Sequence, residues 1–209
     1  MRKIVLFTAS MALVFGSCVS NPDGEKAETT DSVELTEQVA GEIYTINADD
    51  SELGWLGSKV TGQHHGVINF ISGELVVEEK QLLGGHFVID MNSIENQDLE
   101  GEYKEQLENH LKSDDFFAVE TYPEATFEIT GTEATDNEFE IVISGNLTLR
   151  GVTKNIKFNS QIEELTDEKI VAKADFNIAR EDWGVNYEGK ADDLISKEIN
   201  IKVHLVAQK

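Results

Sequence analysis

The sequence predicts a mainly β domain: an antiparallel barrel or sandwich carrying one helical insertion. Three observations predict it. From about Glu42 onward, apolar and polar residues alternate in many short segments, the period-two mark of half-buried strands. One stretch breaks that period with apolar residues at every fourth position. Finally, about eight or more strands follow at close spacing without heptads or an internal repeat, which suits a single antiparallel sheet. Closing that sheet would also remove its sticky edges.

In chain order, the first element stands outside that domain. "MRKIVLFTASMALVFGSC" sets Arg2 and Lys3 before an apolar run from Ile4 to Phe15, then Gly16, Ser17 and Cys18. Residues 1–17 have the form of a secretory signal peptide, too short to span a bilayer. Cys18 is the only cysteine of the 209 residues, so no intramolecular disulfide can form. It resembles the lipobox cysteine of bacterial lipoproteins. That resemblance implies lipidation at Cys18 and an exported protein, anchored in a membrane of the cell envelope and facing the periplasm or the cell surface. Several acyl chains, at about 0.8 kcal/mol per buried methylene, would hold it firmly. An ordinary export signal with an incidental cysteine is the alternative.

Residues 18–41 are rich in acidic and hydroxyl side chains and contain no aromatic residue. They predict a disordered tether. The domain proper is expected over 42–209. Its strands are read at 43–46, 66–71, 74–78 and 85–90, in "TFEIT" with Phe127 and Ile129 on one face, and in "FEIVIS" with Phe139, Ile141 and Ile143. Others follow at 154–162, 170–178 and in "EINIKVHLVA" near the C-terminus. The stretch from Trp55 to Val77 is patterned like a hairpin. In "DLEGEYKEQLENHLKSDDFF", Leu99, Tyr103, Leu107 and Leu111 recur among charged neighbours and predict an amphipathic helix.

The chain carries 17 basic against 40 acidic residues, a formal charge of −23. Removing residues 1–17 takes away two basic residues and no acidic one, leaving −25. Such a chain repels nucleic acids and anionic headgroups, so no nucleic-acid partner is expected. Two arginines remain, Arg150 and Arg180.

Motifs for hydrolytic, phosphate-binding or zinc chemistry (G-x-S-x-G, glycine-rich phosphate loops, H-E-x-x-H) do not occur in the sequence. The five histidines fall in four separate segments, and the adjacent pair His64 and His65 would face opposite sides of a strand. Neither a metal nor a cofactor is expected. Asp114-Asp115 and Asp192-Asp193 read as solvated loop carboxylates, and Phe116 and Phe117 as core plugs.

Several ordered blocks carry a further likeness. "W-x-G-x-K-V-x-G-x-H-x-G" from Trp55 to Gly66, "GGHFVIDMNSI", "LKSDDFF" with "YPEATFEIT", "GNLTLRGVT" and "REDWGV" together resemble the YceI-like lipid/polyisoprenoid-binding family. The resemblance implies a lipocalin-like, extended antiparallel β-barrel with one α-helix, enclosing an apolar tunnel for an isoprenoid or another long-chain lipid. Non-catalytic binding, storage or transport is then the expected function, with a homodimer left open. A lipid-modifying enzyme with its site at the barrel mouth and a ligand-free structural envelope protein are the alternatives. Candidate tunnel residues, chosen on pattern, are Trp55, Phe70, Phe87, Phe127, Phe176 and Trp183. Lys59, His64 and Arg180 are candidates for the mouth. His64 is expected to sit in space left by Gly62 and Gly66, as either a polar wall residue or a structural histidine.

Overall fold

The computed structural model describes residues 19–35 and 40–209; the expected signal peptide and Cys18 lie outside them. The elements are β1 (Glu25–Lys26), β2 (Glu28–Asp31), β3 (Glu42–Ile46), β4 (Glu52–Lys59), β5 (Gly62–Glu78), β6 (Gln81–Asn96) and α1 (Gly101–Lys112). After the helix come β7 (Glu124–Ala134), β8 (Glu140–Leu149), β9 (Val152–Leu165), β10 (Lys169–Ala179), a 3₁₀ turn (Arg180–Trp183), β11 (Gly189–Lys190) and β12 (Asp193–Gln208).

The alternating segments close on themselves. Antiparallel pairing runs from β10 through β12, β5, β6, β7, β8 and β9, and β9 returns to β10. β3 and β4 share one place in the wall, each pairing with both β12 and β5. Among the described residues the result is an eight-strand barrel with a single α-helix. The runs read separately at 66–71 and 74–78 are one 17-residue strand, β5, bent against β6 by register shifts near Asn69 and Ser72. Those bulges let a long strand follow the barrel's curvature. The "RG" between β8 and β9 is a hairpin turn with Arg150 at φ 51° and Gly151 at φ 72°, as a two-residue loop of the type I′ kind requires.

Two expectations are corrected here. The segment read as a disordered tether carries β1 and β2, which pair with β10 and β9. A strand at a sheet gap needs only one small inward residue, here Ala27, which is buried. Phe139 borders the barrel interior along with Ile141 and Ile143 but is not part of the strand they belong to. It precedes β8, in the β7–β8 connection, and is 62% exposed.

Hairpin tips at 79–80, 135–139 and 166–168 form one end of the barrel, and α1 lies at the other. Phe116 and Phe117, just after α1, are buried in the cluster with Ile89, Ile94 and Trp183. Leu111 is the buried residue of α1, whereas Tyr103 stands 74% exposed.

Candidate functional site

The inward side chains of the wall do not meet. They enclose a cavity of about 1210 Å³, lined from Gln81, Glu133 and Phe139 at the hairpin end to Lys59, His64 and His110 at the α1 end. That is a tunnel along the barrel, larger than the roughly 300–1,000 Å³ of most ligand sites. Trp55, Phe70, Phe127, Phe158, Ile201 and Val203 stay only partly buried although they line its interior, because they border open space.

Its waist is a belt of five phenylalanines. Ring centroids lie 6.3 Å apart for Phe70–Phe87, 6.4 Å for Phe87–Phe127 and 5.8 Å for Phe127–Phe158. Phe158 and Phe176 close the series, stacked at 4.0 Å. Gly73 makes the belt possible: a Cβ there would come within 2.6 Å of Phe87 Cδ1. Apolar rings around a hollow centre offer dispersion contacts to a chain and few hydrogen bonds, which suits an alkyl or isoprenyl group.

Trp55, Phe70, Phe87, Phe127, Phe176, Lys59, His64 and Arg180 all line the tunnel. Phe158 was missed, although Ile156, Phe158, Ser160 and Ile162 alternate and all four line it. Trp183 is not a wall residue. Fully buried, it donates Nε1–H to the Leu147 carbonyl at 3.1 Å and wedges the 3₁₀ turn into the core.

At the α1 end the histidine pair resolves around a carboxylate 34 residues away from His64 in sequence. Asp98 meets His64 Nδ1 at 2.7 Å and accepts the His65 backbone N–H at 2.8 Å and the Asn96 amide at 2.6 Å. An ionised carboxylate only accepts, so His64 Nδ1 carries the proton. Burial pushes the Asp98 carboxyl up, but the hydrogen bonds from His64, His65 and Asn96 outweigh it and hold it below its ordinary value. His64 is thus held by Asp98 and lines the tunnel at the α1 end. The space attributed to Gly66 is taken by the Glu95 main-chain carbonyl, whose oxygen would lie 1.8 Å from a Cβ there, and by Trp55, whose Cζ2 would lie at 2.8 Å.

Lys59 is engaged as well. Its Nζ donates to Asp193 at 2.8 Å, while Thr61 donates to the same carboxylate through backbone and hydroxyl. The Lys59 hydrogen bond holds Asp193 below the usual carboxylate range, with Thr61 adding to it against a smaller effect of burial. Asp193 is therefore a partner and not a solvated loop carboxylate.

Arg180 is 1% exposed, and its hydrogen bonds go to main-chain carbonyls: Nε to Ser196 at 2.8 Å, Nη1 to Val185 at 2.6 Å and Nη2 to Ile195 at 3.5 Å. Its guanidinium also lies 5.8 Å from the Phe116 ring centroid. Burial pulls its pKa below the ordinary value, opposed by Glu181 and Glu188, and an arginine stays charged regardless. It works as a pillar joining the 3₁₀ turn to β12.

The fold and tunnel define an antiparallel barrel built around an apolar channel, with one helix at its polar mouth. The chain belongs to the family of the YceI-like domain, whose model matches residues 44–207. A UPF0312 protein of Pectobacterium atrosepticum is 31% identical over 146 residues, 68% of this chain and 65% of that protein. The chain spans less than two thirds of the length of the curated relatives first matched. Among solved structures, BcnA of Burkholderia cenocepacia aligns with a TM-score of 0.62 at 16% identity, over 78% of this chain and 99% of that one. A polyisoprenoid binding domain from Saccharophagus degradans aligns with a TM-score of 0.59 at 19% identity, over 79% and 97%. Both share the lipocalin-like fold.

Proposed function

We infer that this protein is a non-catalytic carrier or store for an isoprenoid or similar long-chain amphiphile, held in the barrel at the cell envelope. The observation that carries this reading is the tunnel of about 1210 Å³ with its phenylalanine belt. The Saccharophagus domain, described as polyisoprenoid binding, supports it by likeness. The chain would lie along the belt and the head group at the α1 mouth, near His64 and Lys59.

The energetics favour exchange over capture. A chain leaving a bilayer for the tunnel passes between two apolar media, so its hydrophobic transfer of about 0.8 kcal/mol per methylene largely cancels. Selectivity then rests on the tunnel's shape and on the mouth. Lys59 and Arg180 are both engaged inside the protein, so Lys190, exposed and lining the same mouth, is the cation a head group would meet there.

Native mass spectrometry of protein purified from membranes, followed by extraction, tests this. One chain lipid per barrel is the expected result. A homogeneous ligand-free protein that also takes up no prenol from vesicles would overturn it.

A further inference from the structure

The barrel wall is split along part of the seam between β9 and β10. The β9–β10 ladder runs from Leu165/Ile170 only to Ser160/Ala174, although β9 reaches back to Val152 and β10 on to Ala179. Where the two strands part, residues 19–35 fill the opening as a strap. β1 pairs with β10 at Phe176 and Asn177, and β2 pairs with β9 from Lys157 to Lys154. Between them Ala27 is buried in the core cluster. At the same level Phe158 and Phe176, both lining the tunnel, stack across the seam from β9 to β10. The strap and this ring pair form the wall there.

The strap is held mainly by polar contacts. Pro22 and Ala27 are its buried residues. Asn177 Nδ2 donates to the Pro22 carbonyl at 2.9 Å, Ser196 bonds to Asn21 at 2.9 Å, and Asn146 both accepts from Val33 N–H and donates to its carbonyl. Polar docking groups can be returned to water at little cost, which an apolar floor could not. The Thr29 hydroxyl is buried without a hydrogen-bond partner, a penalty that only the docked strap carries. The family's domain match begins at residue 44, so the strap lies outside it.

We propose that the strap is a removable stave, and that lifting it opens a slot between β9 and β10 through which the ligand's apolar chain slips sideways into the tunnel. This rests on the tunnel-binding reading above. Passage through the hairpin end would instead draw the chain past Lys80, Glu133, Glu138 and Glu163, which line that end.

Retinol, an isoprenoid whose fluorescence rises on leaving water, is the probe. In a Cys18→Ser background, Glu28→Cys with Lys157→Cys joins direct register partners, and Asn21→Cys with Ser196→Cys joins side chains already in hydrogen-bond contact. With both staples oxidised, loading should be on the order of tenfold slower than in the same protein after reduction, because local opening is blocked. The single change Ala27→Asp, which forces a carboxylate under the seam, should speed loading by a similar factor. The cooperative melt should survive, and amide exchange over residues 28–31 should rise. Retinol bound at equal rates by oxidised and reduced forms, or by Ala27→Asp and its parent, overturns the stave and leaves tunnel binding standing. Retinol bound by none of these proteins overturns both.

Discussion

Val203→Trp separates a tunnel from a filled core. Val203 lies in β12 opposite Leu53 and Ala174, lines the cavity, and packs against both buried clusters. In a close-packed interior the added indole would cost about 1–3 kcal/mol, which in a domain of this size lowers Tm by about 2–12 °C. Here the ring has the cavity of about 1210 Å³ to enter, so the lipid-free variant should melt within about 2 °C of its parent. The same ring occupies the ligand's path. Saturating prenol at roughly a hundredfold over Kd should stabilise the parent by about 2.7 kcal/mol, and it should do little for the variant. Differential scanning calorimetry of delipidated protein, with and without prenol, reads both. A lipid-free drop of more than about 6 °C, or undiminished stabilisation by prenol in the variant, would refute the reasoning.

Asp98→Asn should cost about 1–2 kcal/mol, since a charge-assisted hydrogen bond at a partly exposed site is lost. Because the Asp98 pKa is lowered in the fold, its contribution is present above the unfolded value of about 3.9 and lost as pH falls through the lower folded value. Urea melts from pH 6 down to about 3 should therefore show a shallower loss in the variant than in the parent. Arg180→Lys should lose about 2 kcal/mol or more, because one ammonium nitrogen cannot reach the three carbonyls met by the separate nitrogens of the guanidinium fork, with ligand uptake kept in the folded fraction. A fully stable variant that fails to bind ligand would instead place the guanidinium on the head group. Cys18→Ser should move the protein from the membrane fraction to the soluble one, and continued membrane retention would count against the lipid anchor.

Period-two alternation was enough to read most of the wall. β7, β9, β10 and β12 carry one apolar residue in two because one side faces solvent and the other a common interior. The phenylalanines read as tunnel candidates do line it, since a ring on the inward face of a barrel strand has nowhere else to go. What escaped sequence reading depends on contacts far apart in the chain. Asp98 looks like one carboxylate among 40 until the fold brings it to His64 and His65. Arg180 gives no sign that its acceptors will be carbonyls, because main-chain acceptors leave no mark in sequence. The strap reads as a tether in sequence for a similar reason: most of its docking groups are polar, so its composition matches that of a disordered segment.

The strap also changes where a lipid anchor would hold the barrel. Cys18 precedes Asn21 by three residues, and Asn21 is bonded to Ser196 of the wall. At no more than about 3.6 Å per residue, acyl chains on Cys18 would keep that side of the barrel within roughly 11 Å of the membrane surface. The proposed slot is on the same side. A chain crossing open water would expose apolar surface at about 0.8 kcal/mol per methylene, so ten methylenes in water raise a barrier by about 8 kcal/mol. Holding the slot against the bilayer removes much of that barrier without altering the equilibrium. A flexible Gly/Ser linker of about twenty residues placed after Cys18, with an r.m.s. reach of roughly 25 Å, should therefore slow prenol transfer from vesicles to the anchored protein. Final occupancy should be unchanged. Equal transfer rates with and without the linker would show that closeness to the membrane plays no part in loading, and a changed final occupancy would show that the anchor acts on the tunnel itself.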